Sequence, residues 1–438
     1  MRIEGLELKN IGVFEDVKME FPKCPDGQAE IHIFTGVNGS GKSTILKALA
    51  CGFERKVDSE RDGVFLSEDL NNFYHFFRLN NEKDVAWVKT LVSEGDGIGG
   101  QGYHLTGILL SDENDIINKY RSTLNPELEW TLYEYEFAVF SYSGYSQIDN
   151  NPPYLLEIKN PLYQALKFLK QADTSHSLEE WVKKSLYKRA YARDNNLDKK
   201  ETAYNDTIDK LEKAISEIVG FDIRFALDET LENPVVRYHN QTLSFDVIPD
   251  GLKSLVSWLA DLCIRLDKIK WEEDTPVFNR NIILFLDEIE NHLHIKWQRR
   301  VLPIVQKLLP NAQIFVTTHS PFVVNSIDDA WVHRLQLDEA TKTATIAPPQ
   351  STSTGNSYIT ELMKTFEVYE EYGIPVSEKL QEFHKMKNHI LEGKNGNTKE
   401  FLSLAKDLAN VSPSLNNDIQ IQLRKLSRQT SKEFSIYD

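Results

Sequence analysis

The stretch Gly36-Val37-Asn38-Gly39-Ser40-Gly41-Lys42-Ser43-Thr44 narrows the folds open to this chain more than any other feature. It matches G-x-x-x-x-G-K-[ST] in full. Such a loop works only between a strand and a helix, because its backbone N–H groups must converge on phosphate oxygens at a helix N-terminus. Both flanks comply. Ile31-His32-Ile33-Phe34 is a short apolar run, and Ile45, Leu46, Ala48 and Leu49 recur at helical spacing. Asn38, Gly39, Ser40, Gly41, Lys42, Ser43 and Thr44 are therefore expected to hold nucleotide phosphates. Lys42 would reach the β and γ groups, and the Ser43 hydroxyl would meet Mg²⁺. The bland alternative is a chance glycine-rich turn, and the strand and helix around it weigh against that.

The most apolar run in the chain is Ile282-Ile283-Leu284-Phe285-Leu286, the pattern of a strand buried in a parallel sheet. It ends on Asp287-Glu288. Two adjacent acids there are expensive to desolvate unless a metal or water chemistry compensates. Beside a phosphate loop, Asp287 is expected to hold Mg²⁺ through water and Glu288 to polarise the attacking water. Asp287 could also serve as a plain helix cap. A second buried run, Ile314-Phe315-Val316, leads into Thr317-Thr318-His319-Ser320, which sets His319 at the carboxyl end of a strand, where ligand crevices form. His292 and His294 suggest a metal site, but i,i+2 spacing does not share a helical face.

The formal net charge of −16 over 438 residues argues against a surface that coats nucleic acid, though a local basic stripe stays open. No run of about 18 apolar residues spans a membrane, and Met1-Arg2-Ile3-Glu4 reads as a strand rather than a leader. Cys24, Cys51 and Cys263 lack metal spacing and read as reduced cytosolic thiols, two of them in the core.

The rest of the chain supplies organisation. Phe137-Ala138-Val139-Phe140 is strand-like. From about Pro152 to Ile218 the pattern is helical and charged, too short for a long coiled-coil arm. Strand character returns at Val235–Val247, before Pro249-Asp250-Gly251 and a helix. After Gly355, three amphipathic stripes run through Leu380–Ile390, Phe401–Leu408 and Leu415–Leu426. Most of these are expected to pack on the head, and they also offer a surface for a partner.

The block Asp287–Gln298, with Thr317-Thr318-His319-Ser320-Pro321, resembles the Walker B, D-loop and switch-histidine region of the ABC-type ATPases, in the branch holding RecF, SMC proteins and OLD-family ATPases. That resemblance implies an α/β head with a mixed sheet, a helical insertion and a helical C-terminal tail. Its parts would be an N-terminal lobe at 1–150, an insertion at 151–230, a second lobe at 231–350 and a tail at 351–438. It implies ATP and Mg²⁺ as ligands, Glu288 and His319 as catalytic residues, and a dimer with ATP shared between heads. The signature motif maps to Val247-Ile248-Pro249-Asp250-Gly251-Leu252-Lys253-Ser254, where Gly251 fits and Pro249-Asp250 displaces the usual serine. Lys253 or Ser254 would substitute. Gln147 is the candidate for the glutamine that senses Mg²⁺, with a plain surface glutamine as the alternative.

No glutamate and Asp-x-Asp set follows His319, so a Toprim nuclease on the same chain is not expected. The proline-bearing signature and compact tail look most like the PtuA-like ATPase subunit of Septu-type and retron-associated antiphage systems. The resemblance then implies a separate nuclease chain, HNH type favoured over Toprim, in a cytoplasmic complex. A RecF-like ATPase acting on DNA directly is the competing reading.

Overall fold

The computed structural model describes residues 1–25, 27–51, 53, 87–93, 103–106, 134–143, 161–162, 165–166, 175–195, 198–230, 233–238, 241–272, 275–366, 372–391, 398–430 and 432–436. They belong to two compact units, Met1–Phe366 and Glu367–Asp438.

In the first unit β1 (Arg2–Ile11) and β2 (Phe14–Glu20) form a hairpin, followed by β3 (Glu30–Gly36) and α1 (Lys42–Cys51). Next come β4 (Trp87–Ser93), β5 (Tyr103–Thr106) and β6 (Ala138–Ser143). The helical hairpin α2 (Ser175–Asp194) and α3 (Asp198–Val219) leads into β7 (Ile223–Leu227), β8 (Pro234–Tyr238) and β9 (Gln241–Ser244). Then α4 (Asp250–Lys268), β10 (Ile282–Asp287), α5 (Ile295–Leu308), β11 (Ala312–Thr317) and α6 (Pro321–Val324) build the second half. β12 (Trp331–Leu337), β13 (Ala344–Ile346), β14 (Gln350–Ser351) and α7 (Tyr358–Thr365) complete the unit.

The central sheet runs β13-β12-β3-β11-β10-β6, with β14 also on β12. β12, β3, β11, β10 and β6 are parallel, and β13 and β14 are antiparallel to β12. β3 thus sits between strands that follow it by some 280 residues or more, counting from Glu30 to Ala312 and Trp331. β10 lies inside the parallel run of this sheet, between β11 and β6, and is buried along Ile282–Leu286, which explains why that stretch carries no polar residue. This is the expected α/β head with a mixed sheet.

A second sheet, β2-β1-β4-β5, is antiparallel, and a third, β7-β8-β9, follows the helical hairpin. Gln313 on β11 joins the first two sheets, accepting from Ile3 N and donating to Ile3 O, both at 2.8 Å. α3 buries Ile208, Leu211, Ile215 and Ile218, a spacing of one helical face. α4 is anchored beneath the sheet by Tyr142, whose hydroxyl donates to Asp261 Oδ2 at 2.8 Å, while Arg265 Nε donates to the same oxygen at 2.8 Å. Cys263 is in the core and Cys24 is half-buried; the Cys51 side chain lies outside the described residues.

The second unit is α8 (Ile374–Leu391), α9 (Thr398–Ala409) and α10 (Pro413–Thr430). Its stripes close on one another around Phe383, Phe401, Leu408, Leu415, Ile419 and Leu423, with the Phe383 and Phe401 rings stacked at 4.9 Å. The tail therefore has a core of its own. Among the described residues no helix is long and apolar enough to cross a membrane.

Candidate nucleotide site

Three parallel strands end side by side at the site: β3 delivers Gly36, β10 delivers Asp287 and β11 delivers Thr317. A crevice at the carboxyl ends of parallel strands is the usual ligand position in such sheets. The glycine loop turns tightly here. Gly41 has φ +94°, and a Cβ there would meet the Phe14 ring at 2.6 Å, so the loop backbone lies directly on the β1–β2 turn.

Lys42 opens α1 and is buried, its Nζ donating to Gly36 O and Val37 O at 3.0 Å each. Burial pushes its pKa down, against the pull of Glu288, Asp287 and Glu290. Asp287 Oδ1 accepts from Ser43 Oγ at 2.9 Å and from Thr317 Oγ1 at 2.6 Å. Burial raises the Asp287 pKa despite those hydrogen bonds. The set of hard oxygens on Ser43 and Asp287 suits Mg²⁺, which prefers few protein ligands beside water and phosphate. Ser40 Oγ is fully buried and has no partner among the described residues, as a hydroxyl waiting for a phosphate oxygen would be. The residues present therefore fit both a nucleotide and its metal.

Glu288 follows with φ +51°, a strained value for a non-glycine residue, and its N–H donates to Thr317 Oγ1 at 2.8 Å. His319 stands across the crevice, half-buried, its pKa lowered first by burial and then by Lys42. A neutral imidazole can accept or donate a proton toward a phosphate oxygen. Asn38, Glu288 and His319 line one cleft of about 570 Å³. Gly39 and Thr44 are beside them in the loop and in the first turn of α1.

The signature candidates are at the start of α4. Gly251 and Ser254 are buried, and Lys253 keeps a partly exposed side chain. Gln147 lies outside the described residues. His292 and His294 do not face each other on a helix: His292 is in the turn after β10 at φ +61°, and His294 caps α5 by accepting from Lys296 N at 3.2 Å.

Thr317, Glu290, Asn291 and Gln298 lie inside the two segments that carry the family resemblance, but the sequence gives none of them an individual role. Thr317 ties β11 to both acids, and Gln298 accepts from Ser320 Oγ at 2.7 Å while donating to Leu293 O at 2.9 Å.

Residues 31–325 match the family described as "AAA domain, putative AbiEii toxin, Type IV TA system", and residues 1–60 match a second AAA-domain family. The chain is similar to "Retron Vc95 probable ATPase" of Vibrio cholerae serotype O1 biovar El Tor, 22% identical over 391 residues, covering 74% of this chain and 72% of the relative. It is similar to "Retron Ec83 probable ATPase" of Escherichia coli, 30% identical over 174 residues, 39% of this chain and 31% of the relative. "Septu protein PtuA" of Bacillus mycoides (strain KBAB4) is 20% identical over 342 residues, 77% of this chain and 41% of the relative. The chain thus spans under half the length of the latter two. Among solved structures, the SMC head domain from Thermotoga maritima is 14% identical with a TM-score of 0.40, covering 80% of this chain and 99% of that one.

Proposed function

Because the chain belongs to the AAA-domain family that it matches over residues 31–325, and is an ATPase, we propose that it is the regulatory subunit of an antiphage defence complex. In this reading its nucleotide-dependent dimer controls a separate nuclease chain. The support for a defence role is the likeness to retron and Septu proteins. The observation that supports hydrolysis is that Glu288 and His319 line one cleft, with Lys42 in electrostatic reach of both and of Asp287, which is hydrogen-bonded to Ser43.

Bound Mg²⁺, held by Ser43 and by Asp287 through water, would neutralise phosphate charge. Lys42 exchanges the Gly36 and Val37 carbonyls for phosphate oxygens, and the buried Ser40 hydroxyl finds its missing partner there. Glu288 takes the proton of the attacking water, and His319 holds the transferred phosphoryl group from the far side of the cleft. Lys253, at the exposed edge of the α4 N-terminus, reaches the nucleotide of the opposite head. Gln147 remains the candidate Mg²⁺ sensor. The effector is an HNH-type or Toprim-type nuclease, and the tail, with its own core, is the candidate docking region.

The test mixes the purified chain, wild-type and Glu288→Gln, with ATP and Mg²⁺ and measures mass, turnover and DNA retention together. The reading expects a larger assembly, stabilised by Glu288→Gln as turnover drops by about 10²- to 10⁴-fold, without DNA retention. Tight, salt-sensitive DNA binding by the chain alone would replace it with a RecF-like role.

A further inference from the structure

We propose that Glu290 and Asn291, adjacent in the turn after β10, are positioning residues for hydrolysis: Asn291 aims Glu288, and Glu290 anchors the loop that carries His319. This rests on the reading that Glu288 and His319 serve ATP hydrolysis.

The turn from Glu288 to His292 is closed by Asn291 N donating to Glu288 O at 3.1 Å, and both Glu288 and His292 have positive φ. Within it Asn291 Nδ2 donates to Glu288 Oε2 at 2.7 Å. A glutamate side chain has three rotatable bonds and loses activity when its carboxylate is free to wander. One amide on Oε2 stops that motion and leaves Oε1 open to accept a proton. Asn291 lines the same cleft as Glu288 and His319, so its amide acts at the reacting face.

Glu290 points the other way along the crevice. Its Oε1 accepts the backbone N–H of His319, and its carboxylate also takes a hydrogen bond from the Thr318 side chain. Gln298, on α5, adds an indirect tie: it accepts from Ser320 Oγ at 2.7 Å and donates to Glu290 O at 3.4 Å. The loop Thr318–Ser320 is thereby fastened to the turn that carries Glu288 directly through Glu290 and indirectly through Gln298. The base and the phosphate-facing histidine become parts of one rigid unit.

A purely structural role explains Glu290 poorly. Its Oε2 is buried with no partner among the described residues, and an unpaired buried carboxylate oxygen weakens a fold. Glu290 lines the cleft that also contains Asn38 and His319, so its carboxylate stands at the site rather than in the core away from it.

The experiment uses the full chain and compares Asn291→Ala, Glu290→Ala and Glu290→Gln with wild type and Glu288→Gln. It reads kcat, KM, ATP affinity and melting temperature. Asn291→Ala and Glu290→Ala are expected to lower kcat by about 10- to 100-fold, with KM and ATP affinity changing by less than about threefold. Glu290→Gln keeps an acceptor for the His319 N–H, so it should recover about tenfold over Glu290→Ala. An unchanged kcat in both alanine variants, with Glu288→Gln still inactive, overturns the proposal alone. Equal activity of Glu290→Gln and Glu290→Ala, or losses of kcat that merely follow lost ATP affinity, does the same. A wild-type chain that turns over no ATP overturns the hydrolytic reading and this proposal together.

Discussion

Gly251, at the start of α4, stands against the backbone of His292: a Cβ added to Gly251 would lie 2.5 Å from the His292 carbonyl oxygen and 3.1 Å from the Trp297 ring. The helix that carries the signature candidates thus leans on the turn that carries Glu288. Trp297 widens that contact, donating from Nε1 to Val219 O at 3.1 Å at the base of the helical hairpin. One turn therefore touches the start of α4, and the helix after it touches the end of α3.

Gly251→Ala should force this turn to shift, since the nearest atom is backbone and has no rotamer to change. Overpacking of this kind costs about 1–3 kcal/mol. Turnover is expected to fall by at least about tenfold, while ATP binding, set by the phosphate loop that Gly251 does not touch among its nearest atoms, stays near wild type. Steady-state kinetics beside titration calorimetry checks it. Equal losses in both measurements would mean that the substitution disturbed the whole head.

Lys42→Ala removes a cation that the apo loop holds on two carbonyls. Because charge-assisted hydrogen bonds contribute about 1.5–3 kcal/mol, ATP affinity should weaken about 10- to 100-fold. The loop carbonyls of Gly36 and Val37 stay near solvent, so the melting temperature without nucleotide should change little. The stabilisation that ATP confers on wild type should disappear from the variant in the same melting experiment.

Acid should unfold the head in two stages. His32 Nδ1 and His333 Nε2 meet at 3.1 Å inside the sheet, and His32 Nε2 meets Glu30 Oε1 at 2.8 Å. Burial holds both histidines below the ordinary value of 6.5, for His32 in spite of Glu30. Their stabilising effect is complete above about pH 6.5 and is lost as pH falls below it, because the unfolded chain then binds more protons. For Glu30, burial works to raise the pKa, but hydrogen bonds from His32 and Arg2 win and keep it below 4.5. Its contribution is present above that value and is lost as pH falls through the lower folded pKa. The melting temperature should drop from about pH 7 to pH 5 and again below about pH 4.5. His333→Asn should flatten the first drop, and calorimetric scans across the range would show it.

Much of this was written locally. The glycine loop needs only the strand before it and the helix after it, so residues 36–51 could be read from spacing alone. The same holds for the uninterrupted strand ending at Asp287-Glu288 and for the tail helices, whose 3.6-residue stripes reach Phe383, Phe401 and Leu423. In each case the determining interactions lie within a few residues, and a pattern records them.

The tertiary structure decided what depends on pairs far apart in the chain. Asp287 meets Ser43 across 244 positions, and Gln313 meets Ile3 across 310. No local periodicity encodes such a contact, because it is made only when the sheet brings β3 between β11 and β12. The tail shows the same division. Its stripes announced helices, but an apolar face does not name what covers it, and only packing turned those faces toward one another. So the sequence by itself determined the chemistry on offer, residue by residue. The folded sheet decided which of those residues stand within hydrogen-bond reach, since burial and distance are properties of the whole chain.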